Sequence, residues 1–124
     1  MSSRPPLAII VATDEAERLR AALVLARCEI ALGGSARLFA QGRAVRLLTR
    51  GEQQPEDASW IPAGEPALAD LLAEALDDGV ELVACQSGLA SAALSAQQFD
   101  LRIAIGGMIG FLASVPPEAR LLFT

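Results

Sequence analysis

LAIIVA, residues 7–12, is apolar at every position. A strand with one face in water alternates apolar and polar residues. A run without alternation is buried on both faces, and such strands belong to parallel sheets covered by helices on each side. A helix start follows at once. Asp14 is placed to cap it, Glu17 completes a capping-box-like pair, and the helix runs to about Leu32 before Gly33-Gly34 stops it. The same grammar recurs along the chain. Ala36 to Ala40 (ARLFA) is a second strand, followed by Gln41-Gly42 and a short helical piece from Arg43 to Leu48. Pro66 suits the first turn of a helix with Leu68, Leu71, Leu72, Ala75 and Leu76 on one face and its end at Gly79. Val80 to Ala84 (VELVA) is a third strand, Leu89 to Gln98 a small-residue helix, and Leu121 to Phe123 a short final strand after Pro116-Pro117. Leu101 to Phe111 (LRIAIGGMIGF) opens with strand-like alternation and turns glycine-rich, so its type stays open.

The order β-α-β-α-β-α-β predicts an α/β fold of three layers, α/β/α, around a largely parallel sheet of about four to five strands. Right-handed crossovers would set the carboxyl ends of those strands along one edge, where open sheets hold their ligands. With no internal repeat and no linker, residues 1–124 are expected to form one domain.

The first helix carries more apolar surface than one core can use. Leu19, Leu23, Ala26 and Ile30 form one stripe, and Ala21, Val24, Leu25, Cys28 and Leu32 form a second on the opposite side. A helix apolar nearly all round is covered on both sides; the second cover is either a subunit interface or a neighbouring helix. Between the second strand and the Pro66 helix lies TRGEQQPEDASWIPAGEP, a long stretch of turn formers and acids. There Trp60-Ile61 reads as an anchor into the core, and Glu52, Glu56 and Asp57 read as solvated surface.

Absences narrow the chemistry. The chain has no His, and its ten basic residues are all arginine. Ser-His-Asp and Cys-His nucleophile pairs, a P-loop lysine, Schiff-base chemistry and histidine metal ligands are therefore excluded. The two cysteines, Cys28 and Cys85, lack CxxC spacing, so neither a zinc site nor a dithiol is suggested. Gly106-Gly107-Met108-Ile109-Gly110 is not a dinucleotide fingerprint, and its glycines are expected to serve close packing or, at Gly107, to line a pocket. No cofactor and no metal are expected. A net charge of −5 argues against nucleic acid, although arginines can still form a local anion site. No apolar run reaches the roughly 18 residues of a membrane span, and the opening MSSRPPLAIIVATDE does not read as a secretory signal, so a cytoplasmic protein is expected.

What remains is Cys85. In LVACQSGLASAAL, residues 82–94, it stands where a strand meets a small-residue helix, at the edge that carries sites. A thiol there meets free backbone N–H groups that favour the thiolate, with Ser87 able to cap or donate and Gly88 allowing close approach. The competing reading is that Cys85 finishes the strand as one more buried small residue. Cys28, in mid-helix, reads as packing. Gln86 borders the same turn, and Asp14 and Gln41, following the first two strands, border the same edge.

The string GVELVACQSGLASAAL, with LAIIVATDEAERLRAALVLARCEIALGG, the later IGGMIGFLA and the terminal RLLFT, resembles the DsrE/DsrF family of sulfur-relay proteins, which share the YchN-like fold. The most specific feature is the cysteine after a hydrophobic strand introduced by Gly79-Val80. The resemblance implies a sulfurtransferase-like activity in which Cys85 accepts sulfane sulfur as a persulfide and passes it to a partner thiol. It also implies homotrimers, homohexamers or heterohexamers, with thiol-bearing donor and acceptor proteins as partners, and no nucleic acid or membrane. The alternative is a non-catalytic oligomeric module of the same fold that binds a small molecule or a protein at this edge.

Overall fold

A computed structural model describes residues 4–124. Five strands, β1 (Leu7–Val11), β2 (Ala36–Ala40), β3 (Glu81–Cys85), β4 (Ala104–Gly106) and β5 (Arg120–Phe123), form one sheet in the order β4-β3-β2-β1-β5. Every pairing is parallel, with Leu7 opposite Ala36, Ala40 opposite Ala84, Cys85 opposite Gly106 and Leu7 opposite Arg120. The α-helices are α1 (Ala16–Ala31), α2 (Asp57–Trp60), α3 (Leu68–Asp78), α4 (Gln86–Ala92) and α5 (Met108–Ala113), and a 3-10 helix spans Gly42–Leu48.

The topology follows from crossover handedness. Steps from β1 to β2, β3 and β4 all move one way across the sheet, which puts α1, α3 and α4 on one face. The return from β4 to β5 runs the other way and puts α5 on the opposite face, where Phe111 lies 5.2 Å from Phe39. All five residues of β1 are buried, the burial expected of an unalternating apolar run. The core continues through Leu38 and Phe39 of β2, Leu82 and Ala84 of β3, and Leu19, Leu23 and Ala26 of α1. Gly79, in the left-handed conformation (φ 100°), ends α3. No helix is long and apolar enough to cross a membrane among the described residues.

Several expectations need correction. Asp14 does not cap α1: the Thr13 hydroxyl accepts the Glu15 N–H at 3.2 Å, which makes Glu15 the N-cap and leaves Asp14 exposed. The segment after β2 is a 3-10 helix. Trp60-Ile61 is not the anchor of the long connection. Ile61 is 56% exposed, and the Trp60 ring stacks on the Arg20 guanidinium at 4.5 Å while its indole N–H donates to Glu17. The anchor is Asp57, expected in solvent but buried. Its carboxylate accepts the N–H of Gln54 and, across eleven residues, the N–H of Leu68 that opens α3, each at 3.0 Å. The small-residue helix starts earlier, at Gln86, and breaks at Ala93 (φ 55°) because Ser95 and Gln98 cap a separate 3-10 turn. The open segment 101–111 resolves into β4 and the start of α5. Its glycines are not held by space: a Cβ on Gly107 or Gly110 meets nothing within 4 Å, and one on Gly106 makes only ordinary contact with Val83 at 3.6 Å.

The second stripe of α1 finds no cover within the chain. Val24, Leu25, Cys28 and Leu32 are exposed, so the neighbouring-helix reading fails for that side among the described residues.

Candidate functional site

Parallel pairing sets the carboxyl ends of β1 to β4 on one edge, with Cys85 closing β3. The same residue is the N-cap of α4: its backbone is extended (φ −64°, ψ 122°), and its sulfur accepts the Gly88 N–H at 3.4 Å. That is the bond a Ser or Asp oxygen makes at a helix start, here made by sulfur. The Ser87 hydroxyl lies 3.3 Å from the same Sγ.

The turn after the neighbouring strand packs against this one. Gly88 packs so closely on the 3-10 helix that a Cβ there would lie 2.5 Å from the Gly42 carbonyl oxygen and 3.0 Å from Val45 Cγ1. Gly42 adopts φ +57°, a conformation glycine takes without strain. Burial pushes the Cys85 thiol up. The Ser87 hydroxyl and the N–H groups of Gly42, Gly88 and Ser87 together outweigh it, and the thiol settles below its ordinary value. Cys85 is nonetheless only 3% exposed, so a reagent reaches the sulfur only after a local rearrangement of its surroundings.

The other candidates divide. Ser87 and Gly88 touch the sulfur. Gln41 follows Ala40, the partner of Ala84, and so stands level with Cys85; its Oε1 is buried without a hydrogen-bond partner. Gln86, the first residue of α4, is exposed. Gly107 follows Gly106, the partner of Cys85, and lies at the same edge, exposed. Asp14 stands beyond the end of β1, about 10 Å away across two strand spacings, and no hydrogen bond joins it to Cys85. Sequence reasoning missed Gly42 as a neighbour of the site. Its position after the strand beside β3 was the only available signal. Cys28 is also corrected: it is exposed on α1, in a groove with Val24 and Leu71, and is not a packing residue. No group of three or more Cys, Asp or Glu converges on a metal position among the described residues.

A cleft of about 280 Å³ adjoins the sulfur site, lined by Gly42, Arg43, Arg46, Ser87, Gly88 and Ser91. The arrangement supplies one hydrogen-bonded sulfur, its thiol held below the ordinary value, beside a polar cavity, and no histidine to serve as a base.

The model of the DsrE/DsrF-like family matches residues 7–122. Among solved structures, the ychN protein from E. coli superposes with a TM-score of 0.71 at 19% identity, over 98% of this chain and 99% of that one. MTH1491, a protein of unknown function from Methanobacterium thermoautotrophicum, superposes with a TM-score of 0.69 at 14% identity, over 98% of this chain and 100% of its own. At these identities the likeness concerns the fold. No curated protein matches the chain.

Proposed function

Because the chain belongs to the DsrE/DsrF-like family, we propose that it is a sulfur carrier that holds sulfane sulfur as a persulfide on Cys85. It acts as a cytoplasmic homo-oligomer, a trimer or hexamer, between a thiol-bearing donor protein and a thiol-bearing acceptor. The observation that carries this reading is the pairing of the buried Cys85 sulfur with both the Gly88 N–H, at 3.4 Å, and the Ser87 hydroxyl, at 3.3 Å. Packing alone does not require two polar partners on a thiol, whereas stabilising a thiolate or a persulfide anion does. Sulfur exchange needs a nucleophilic thiolate and no acid–base residue of the histidine type. The Cys85 thiolate attacks the outer sulfur of a donor persulfide. An Sγ–S bond forms, the donor S–S bond breaks, and the donor thiol leaves with the electron pair and a proton.

The low exposure of Cys85 favours a second reading, a binding module whose cysteine is inert. Intact mass after incubation with a sulfane-sulfur donor separates the two. Wild type and Cys28→Ser are expected to gain about 32 Da per chain, and Cys85→Ser to gain nothing. A gain that survives in Cys85→Ser and disappears in Cys28→Ser would move the reactive thiol to the exposed cysteine. No gain in any folded variant would leave the binding module.

A further inference from the structure

The chain has fifteen acidic residues and ten arginines, so an arginine without a partner is unexpected. Seven of the ten pair with carboxylates, and Arg50 donates to the Phe99 carbonyl at 2.6 Å. The guanidinium groups of Arg43 and Arg46 are the exceptions, with neither ion pair nor hydrogen bond among the described residues. They stand three residues apart on the 3-10 helix Gly42–Leu48. That helix repeats about every three residues, so the two side chains lie one above the other on the same face. Two like charges so stacked repel unless an anion lies between them.

Both arginines line the 280 Å³ cleft, with the Ser91 hydroxyl beside them. The lining also includes Ser87 and Gly88, the residues hydrogen-bonded to the Cys85 sulfur. We propose that this cleft binds the anionic group, a carboxylate or sulfonate, on the organic part of a small-molecule sulfur donor, and so brings the donor's S–S bond to Cys85. The inference rests on the persulfide reading above and adds to its protein donor a small-molecule one, the class that this cleft takes. Guanidinium forks match carboxylate and sulfonate oxygens in paired hydrogen bonds. The volume is at the small end of ligand sites, which suits a donor of a few heavy atoms better than a segment of protein. The positive pair also offsets the repulsion between an anionic donor and the Cys85 thiolate. In the step itself the thiolate attacks the outer sulfur of R–S–SH and the R–S–S bond breaks. R–S⁻ leaves with the electron pair and takes up the proton released by the transferred sulfur. Cys85 is left as the persulfide anion, with no outside oxidant or reductant.

Two matched donors test this: the persulfides of mercaptopropionate, which carries a carboxylate, and of mercaptoethanol, which carries a hydroxyl. Loading of Cys85 is followed by intact mass in the Cys28→Ser background, with Arg43 and Arg46 intact, both changed to Gln, or both changed to Lys. With the arginines intact, the carboxylate donor is expected to load about tenfold faster, the effect of one charge-assisted hydrogen bond. The ratio is expected to fall to about one in Arg43→Gln/Arg46→Gln and to recover in part in Arg43→Lys/Arg46→Lys, which keeps charge but not the fork. Equal rates with the arginines intact, or a preference that persists in the Gln variant, would overturn the proposal. A second readout is independent of transfer: mercaptopropionate titrated against the protein is expected to shift the amide resonances of Gly42, Ser87 and Gly88, except in the Gln variant. Shifts without loading from either donor would sink the persulfide reading and keep the anion site. Neither loading nor shifts would overturn both.

Discussion

Cys85 is held by groups that act in opposite directions on its proton. Burial favours the neutral thiol, while the Ser87 hydroxyl and three N–H groups favour the thiolate and prevail. The Ser87 hydroxyl is the strongest of those four and the only one that a side-chain change removes. In Ser87→Ala the thiol is therefore expected to titrate at higher pH. The rate of alkylation against pH, measured in the Cys28→Ser background, should show its midpoint below that of an ordinary thiol in the parent and displaced upward in Ser87→Ala. An unmoved midpoint would mean that the hydroxyl does not donate to the sulfur.

At the level of elements, two contacts hold the edge and the frame. The first joins α4 to the 3-10 helix, where Gly88 meets the Gly42 carbonyl with no room for a Cβ. Gly88→Ala is expected to destabilise by about 1–3 kcal/mol, the usual cost of overpacking, read as a lower urea midpoint. By displacing Gly42 it should also raise the thiol's pKa. The second contact is Glu29, buried on α1, which accepts from Arg4 at 2.6 and 3.0 Å and pairs with Arg120 of β5 at 2.9 Å. The Arg4 hydrogen bond, then that of Arg120, lowers the carboxylate from 4.5 to about 2. A depressed folded-state value means that the ionised carboxylate stabilises the fold above the unfolded pKa, and that this contribution fades as pH falls through the folded one. Stability measured between pH 7 and pH 2 should accordingly drop across the window from about 4.5 to about 2. Glu29→Gln should be less stable at neutral pH and should show a flatter curve through that window.

At the scale of the whole molecule, the unequal cover of the sheet is the dominant feature. One face carries α1, α3 and α4; the other carries α5 alone, six residues long. On that side Ile109 is 86% exposed, and Phe123 on the edge strand β5 is 71% exposed. With the bare second stripe of α1, these leave the apolar surface that an assembly would cover. Sedimentation is expected to give three or six times the 12.9 kDa chain mass. Ile109→Asp combined with Phe123→Asp should reduce it toward a single chain with the fold retained by circular dichroism. A monomeric wild type would show that these surfaces serve something other than self-association.

Much of this was legible in the sequence. The unalternating run at 7–12, the matching runs at 36–40 and 80–84 and the helix punctuation between them determined a parallel α/β sheet. They also placed Cys85 at the carboxyl end of a strand that feeds a helix. These are near-neighbour properties, set by side-chain periodicity and by caps a few residues apart, and they survive any arrangement of the rest. The tertiary structure alone decided the features that join distant segments. Asp57 looks like a loop acid until its carboxylate is found capping α3. Cys28 looks buried until the outer side of α1 is found bare. Gly42 comes to the sulfur site only because Gly88 lets two turns from separate crossovers touch. Hydrogen bonds and burial depend on which surfaces meet, and periodicity along the chain says which face of an element is apolar, not which partner it finds.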